Sequence, residues 1–76
     1  MVDLDKLYQD EAYALKVLIK LINKYLQSDE ERIKGINIVS ALPGCIPGRA
    51  VGNIFHQKDL SVEDQKVIQE IIDIYA

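Results

Sequence analysis

Residues 3–27, DLDKLYQDEAYALKVLIKLINKYLQ, decide the fold of this chain. Lys16, Lys20 and Lys24 recur every four residues, a spacing that places them on one face of an α-helix and marks that face as solvated. Apolar and tyrosine side chains cover an arc of roughly 200°, about twice that of an ordinary surface helix. The stretch therefore predicts one long helix, helix 1, from Asp3 to Gln27, with Asp3 as its N-cap.

Two explanations of this broad apolar face stay open. Helix 1 is either the central helix of a bundle or part of an interface between two copies of the chain. A chain of this length buries only about 60% of its unfolded surface, and Cys45 is its only cysteine, so no internal disulfide can stabilise it. Self-association is the remaining source of stability, and we expect a homodimer through helix 1.

Three shorter helices are predicted after helix 1. The run Ser28-Asp29-Glu30-Glu31 has the form of a capping box, so helix 2 should extend from Ser28 to Leu42, where Pro43 ends it. Helix 3 is predicted over residues 47–57, and helix 4 begins after Ser61 and continues almost to the C-terminus. The predicted fold is all-α, a small antiparallel four-helix bundle with one long N-terminal helix and a short third helix.

Apolar residues at helical spacing predict which face of each shorter helix is buried. The expected stripe of helix 2 is Ile33, Ile36, Val39 and Leu42, with Gly35 as a weak point; that of helix 3 is Ala50, Val51, Ile54 and Phe55; that of helix 4 is Val67, Ile68, Ile71, Ile72 and Tyr75.

The composition of residues 1–76 is that of a single folded domain, 49% hydrophobic and 28% charged. The acidic N-terminal segment lacks the apolar core of a signal peptide. Lys16 and Lys20 interrupt the near-apolar stretch 12–22, which is too short to span a membrane. A lone cysteine fits a reducing compartment, so we expect a cytoplasmic protein without a membrane partner.

Charge is unevenly distributed along the chain, although its total is only −3. Residues 1–31 carry seven acids and four bases, and residues 59–76 carry five acids and one base. Residues 32–58 carry four bases and no acid. A basic middle therefore lies between two acidic ends, a pattern that bears on the choice of partner.

Residue types that carry catalysis or bind metals are scarce. Cys45 and His56 are the only candidate nucleophile and base, and no third group can be assigned to orient the histidine, so we expect no enzyme. Cys45 is better explained as a small apolar side chain at a turn. The acidic runs 29–31 and 63–64 suit the first turns of helices, where the macrodipole favours carboxylates. We therefore assign no metal and no cofactor.

A few polar residues are candidates for contact with a partner. Glu11 falls within the apolar arc of helix 1, where it is either solvated or accepts a hydrogen bond from Arg49, from His56 or from a partner. Tyr13 falls at the edge of that arc. The start of helix 3 beside Arg49 suits an anion, although the glycines of segment 43–58 are better explained by close helix contact at a tight corner. The predicted partner-binding residues are Glu11, Tyr13, Arg49, Asn53, His56 and Lys58.

The size, the acidity and the lack of catalytic groups predict a small protein–protein interaction module, a regulator, inhibitor or immunity-type protein with a basic partner protein. In helix order and acidity the chain resembles small four-helix immunity proteins, without a shared motif. The alternative is a DNA-binding regulator that uses residues 32–58 as a helix–turn–helix. Only four bases in that segment and acidic flanks on both sides disfavour nucleic acid as a partner.

Overall fold

Five α-helices make up the structure, a computed structural model that describes residues 2–42, 47–56 and 58–76. They are α1 (Leu4–Gln9), α2 (Glu11–Tyr25), α3 (Asp29–Val39), α4 (Gly48–Ile54) and α5 (Val62–Tyr75). No strand occurs within these ranges, so the all-α prediction is confirmed. The single long N-terminal helix is wrong, because it is divided into α1 and α2, and the four-helix count is corrected to five. Pro43, Gly44 and Cys45, which figured in the turn predictions, lie outside the described residues.

The break between α1 and α2 is centred on Asp10. Its backbone is extended, with φ −137° and ψ 100°, and its N–H donates to the carbonyl oxygen of Lys6 at 2.9 Å, which ends α1. Its side-chain Oδ1 accepts the N–H of Tyr13 at 3.2 Å, which begins α2. Aspartate is among the strongest N-cap residues because its short carboxylate satisfies an otherwise unpaired N–H of the first turn. One residue therefore terminates one helix and starts the next.

The break lets α1 turn back and pack against both α2 and α5. Leu7 is completely buried there, and its carbonyl oxygen accepts a hydrogen bond from the hydroxyl of Tyr75. The core-facing side of α2 is likewise enclosed by the chain itself; its buried residues are Ala14, Val17, Leu18, Leu21 and Ile22. The expected surplus of apolar surface on helix 1 is thus largely covered internally, which removes the main reason for expecting a dimer through it.

The orientation of α3 is set by Gly35, which is buried between α2 and α4. A Cβ atom at this position would lie 3.3 Å from Cδ1 of Ile22 and 3.5 Å from Cγ2 of Ile54. Because α3 presents its glycine side to the core, Ile33 on the opposite side is 61% exposed, and the prediction that Ile33 is buried was wrong. Val39 and Leu42 are buried as expected.

Helices α4 and α5 follow their predicted faces in part, since Ala50, Ile54 and Ile72 are only half-buried. Val51 and Phe55 of the α4 segment are buried, and Pro47 forms the N-cap of this helix. Helix α5 begins after Ser61, whose Oγ accepts the N–H of Asp64 at 3.1 Å. The buried residues of α5 are Val67, Ile68, Ile71 and Tyr75.

A polar cluster joins the end of α2 to the start of α5. The hydroxyl of Tyr25 donates to the Asp64 carboxylate and accepts the N–H of Ser61 at 3.3 Å. Lys24 Nζ lies 2.9 Å from the same carboxylate. The hydrogen bond from Tyr25, followed by that from Lys24, holds the pKa of Asp64 below its ordinary value. The cluster therefore fixes where α5 begins relative to α2.

Two glycine substitutions should have opposite effects on the free energy of unfolding. Gly35→Leu forces a side chain into the contact with Ile22 and Ile54 and should destabilise the fold by about 1–3 kcal/mol. Gly52→Ala meets no atom within 4 Å and should stabilise α4 by about 0.5–1 kcal/mol. Urea denaturation of both variants measures the difference, and equal effects would contradict the packing role of Gly35.

Asp10→Ala should lower the free energy of unfolding by about 1 kcal/mol, because it removes the side-chain cap of α2. Asp59→Ala is the matched control, since it removes the same charge from an exposed position outside the helices. Circular dichroism during urea denaturation provides the comparison. Equal stability of the two variants would show that the cap on Tyr13 does not maintain the break.

Candidate protein-binding surfaces

The six residues predicted to bind a partner do not form one site. Glu11 is exposed at the first position of α2. Its charge acts on the phenol of Tyr75 rather than on a base of α4. Within the described part of the chain it forms no ion pair with Arg49 or His56, so that interpretation of Glu11 was wrong. The solvated alternative fits its exposure.

Tyr13 is half-buried and holds the N-terminal segment in place. Its hydroxyl accepts the N–H of Asp3 at 3.0 Å, and Lys6 Nζ lies 5.0 Å from the centre of its ring. Both the hydroxyl and one face of the ring are therefore engaged within the chain. Tyr13 also borders a cleft of about 560 Å³ beside Lys16 and Lys20, which are exposed as the lysine spacing predicted.

Three of the predicted residues, Asn53, His56 and Lys58, meet at a groove between α3 and α4, which we call the α3–α4 groove. Its volume is about 470 Å³. Its floor consists of Leu26, Gly35, Ile38, Ala50 and Ile54, and its rim consists of Glu31, Lys34, Asn53, His56 and Lys58. Arg49 is exposed one helical turn before Asn53, outside the lining of the groove.

Glu31 links the rim to the start of α3. The N–H of Glu31 donates to Ser28 Oγ at 3.1 Å, which confirms one half of the predicted capping box. Its carboxylate pairs with Lys58 Nζ at 3.2 Å across the groove. Lys34 is therefore the lysine of the rim that forms no ion pair among the described residues.

A second surface, centred on Tyr8, was not found from the sequence. Tyr8 is 60% exposed on α1, and its hydroxyl donates to Glu70 Oε2 of α5 at 2.7 Å. The bond to Glu70 raises the pKa of the Tyr8 phenol, and the nearby carboxylates of Asp73 and Asp5 raise it further. We call Tyr8, Asp5, Glu70 and Asp73 the Tyr8 face. Its residues come from opposite ends of the chain, so no local spacing indicated it.

Tyr75 supports the Tyr8 face from beneath. Its hydroxyl donates to the Leu7 carbonyl, which fixes α1 against α5 next to Tyr8. Burial raises the pKa of the Tyr75 phenol, and the charges of Glu11 and Asp10 act in the same direction. This bond requires the protonated phenol, because a phenolate has no proton to donate.

Other site types receive no support from the described ranges. No group of three His, Cys, Asp or Glu side chains is close enough there to hold a metal ion. Every helix in those ranges is too short or too polar to cross a bilayer. His56 is exposed, and Cys45 lies outside the described residues, so their separation is not part of the structure.

Comparisons with protein families, with curated proteins and with solved structures find no match for the chain.

Tyr75→Phe should make the free energy of unfolding less sensitive to alkaline pH. Folding raises the pKa of Tyr75. The contribution of this side chain to the free energy of unfolding is therefore fully present below about pH 10 and is lost as the pH rises through its pKa in the folded state. At pH 7 the variant should lose about 1 kcal/mol with the hydrogen bond to Leu7. Urea denaturation at pH 7 and from pH 9 to 11 measures both effects.

Tyr13→Phe is the control for this experiment, because the Tyr13 hydroxyl accepts its bond from Asp3 and a phenolate could still accept it. In that variant the free energy of unfolding should decline at alkaline pH as much as it does in the wild type. A decline of the same size in Tyr75→Phe would show that the bond to Leu7 does not couple pH to stability.

Proposed function

We propose that the chain is a small non-catalytic interaction module, of regulator, inhibitor or immunity type, and that its Tyr8 face binds a basic partner protein. The observation that carries the proposal is the exposed ring of Tyr8 among three carboxylates. Tyrosine is enriched among the residues that dominate binding energy at protein interfaces. A basic side chain of the partner can lie over the ring while the carboxylates of Glu70 and Asp73 pair with it.

The charge of the two helices that build the Tyr8 face supports the same class of partner. Residues 59–76 carry a net −4, and the acids Asp3, Asp5, Asp10 and Glu11 surround α1. Such a field attracts a positively charged protein over several ångströms and raises its association rate. A nuclease or another nucleic-acid-binding protein has the surface charge that fits.

The non-catalytic part of the proposal depends on residue types. The chain contains one cysteine and one histidine, and a nucleophile needs both a base and a group that orients the base. His56 is exposed, so its ring is not held within a packed site. The groups that are concentrated on the surface are carboxylates and a tyrosine, which suit recognition.

Binding to the Tyr8 face should be tested by affinity capture from lysate of the native host, followed by titration of the captured protein. We expect a basic protein that is retained at low salt and released as salt rises. Tyr8→Ala should weaken its affinity by about 2 kcal/mol, roughly 30-fold. Ile33→Ala is the matched control, since Ile33 is equally exposed on α3 and should leave the affinity unchanged.

Three results would count against the proposal: no retained protein at any salt concentration, a captured partner that is acidic, or equal affinities of the two variants. The variants must first be shown to be as stable as the wild type. Exposure of both side chains makes large losses of stability unexpected.

DNA binding by residues 32–58 stays the alternative, because the acid-free segment places its bases around α3 and α4. Its support is limited, since the surface between these helices has an apolar floor and Glu31 on its rim. A shift of a 20-base-pair duplex at low salt would favour it. Sedimentation of the same samples tests the homodimer. The fold leaves less apolar surface for such a dimer than the sequence predicted, because the chain itself covers most of α1 and α2.

A further inference from the structure

The α3–α4 groove leaves part of its apolar floor uncovered. Ile38, Ala50 and Ile54 on its floor are half-buried, although each belongs to a helix that packs into the core. From Glu31 to Ile38 the groove follows α3 for about 10 Å, which corresponds to two turns of a second helix. Gly35 allows α3 to approach its neighbours closely, so the floor beside it is shallow.

The charge around this floor is positive. Lys34 and Lys58 lie on the rim with a single carboxylate, that of Glu31, which Lys58 pairs, and Lys34 forms no ion pair among the described residues. The two lysines outnumber the one carboxylate of the lining, and Asp59 follows Lys58 outside it. The opposite sign of the Tyr8 face means that one partner surface does not suit both sites.

We propose that the α3–α4 groove is a second docking site, which takes an acidic amphipathic segment of a partner protein. Apolar residues at positions i, i+3 and i+4 of a helix lie on the floor, and carboxylates on the flanks of that helix reach Lys34 and the other rim bases. We choose an acidic segment over a basic one because a basic segment would meet like charges along the rim. The site does not depend on the Tyr8 face.

Two other occupants fit the groove less well. A DNA backbone offers phosphates to the rim but nothing to cover the apolar floor, and four bases give few phosphate contacts. A small molecule would stay largely exposed in a shallow groove, whereas ligand pockets cover most of their ligand. A peptide helix uses both the floor and the rim. The short contact length indicates a weak complex, with a dissociation constant on the order of micromolar or higher.

The test begins with selection from a random 16-residue peptide library displayed on phage, with the intact chain as bait. We expect enriched peptides to be acidic and to carry apolar residues at helical spacing. An enriched peptide titrated into the ¹⁵N-labelled chain should shift the amide signals of Gly35, Ile38, Ala50 and Ile54. Lack of enrichment, enrichment of basic peptides, or shifts confined to the Tyr8 face would overturn the proposal.

Charge reversal on the rim gives a quantitative control. Lys34→Glu should lower the affinity of the chain for the enriched peptide by about five- to tenfold and reduce the salt dependence of this binding. Lys66→Glu makes the same charge change at an exposed position of α5 and should stay within about twofold of the wild type. Tyr8→Ala should leave peptide binding intact, which separates failure of this site from failure of the Tyr8 face. Equal loss in the two lysine variants, or displacement of the peptide by duplex DNA at physiological salt, would refute peptide docking here.

Discussion

The side chain of Asp10 accepts one hydrogen bond, from the N–H of Tyr13, and the rest of the structure depends on the break that this bond maintains. A continuous helix over residues 4–25 would be about 33 Å long. The whole molecule is only 31 Å across its longest axis, so such a helix would leave one end without cover. With the break, α1 instead packs on α2 and α5, and Leu7 becomes fully buried.

The same break produces the separation of charge over the surface. By turning back, α1 brings its acids beside those of α5, although the two segments lie at opposite ends of the sequence. The bases of the middle segment then stay together around α3 and α4. The two acidic ends of the chain thus meet in the Tyr8 face, whereas the α3–α4 groove carries two lysines and one carboxylate. Two faces of opposite sign are the physical basis for proposing two different kinds of contact.

The features that the sequence predicted are the local ones. Ser28 and Ser61 cap helices as expected, because a cap depends on residues within three positions of it. The buried faces of α4 and α5 also follow from spacing alone. The break at Asp10 was missed because the apolar spacing of residues 4–25 fits a continuous helix as well as a broken one. What decides between them is the packing of Leu7 against α5, a contact between residues far apart in sequence.

The orientation of α3 and the composition of the Tyr8 face also depend on contacts between residues that are far apart in the sequence. The spacing of apolar residues placed Ile33 in the buried stripe. The close contact of Gly35 with Ile22 and Ile54 instead turns the Ile33 side of α3 to the solvent. The groove residues Asn53, His56 and Lys58 could be predicted together because they lie within six positions of one another. Tyr8 and Glu70 are 62 positions apart, and only the folded chain brings them into contact.

The bond between Tyr75 and Leu7 joins residues 68 positions apart, which has a consequence for synthesis on the ribosome. At about 5–20 residues per second, α1 waits roughly 3–14 s for α5 to be made. During that interval the apolar residues of α1 and α2 that α5 will cover are accessible to other proteins. The nascent chain is therefore at greatest risk of aggregation just before its last helix emerges.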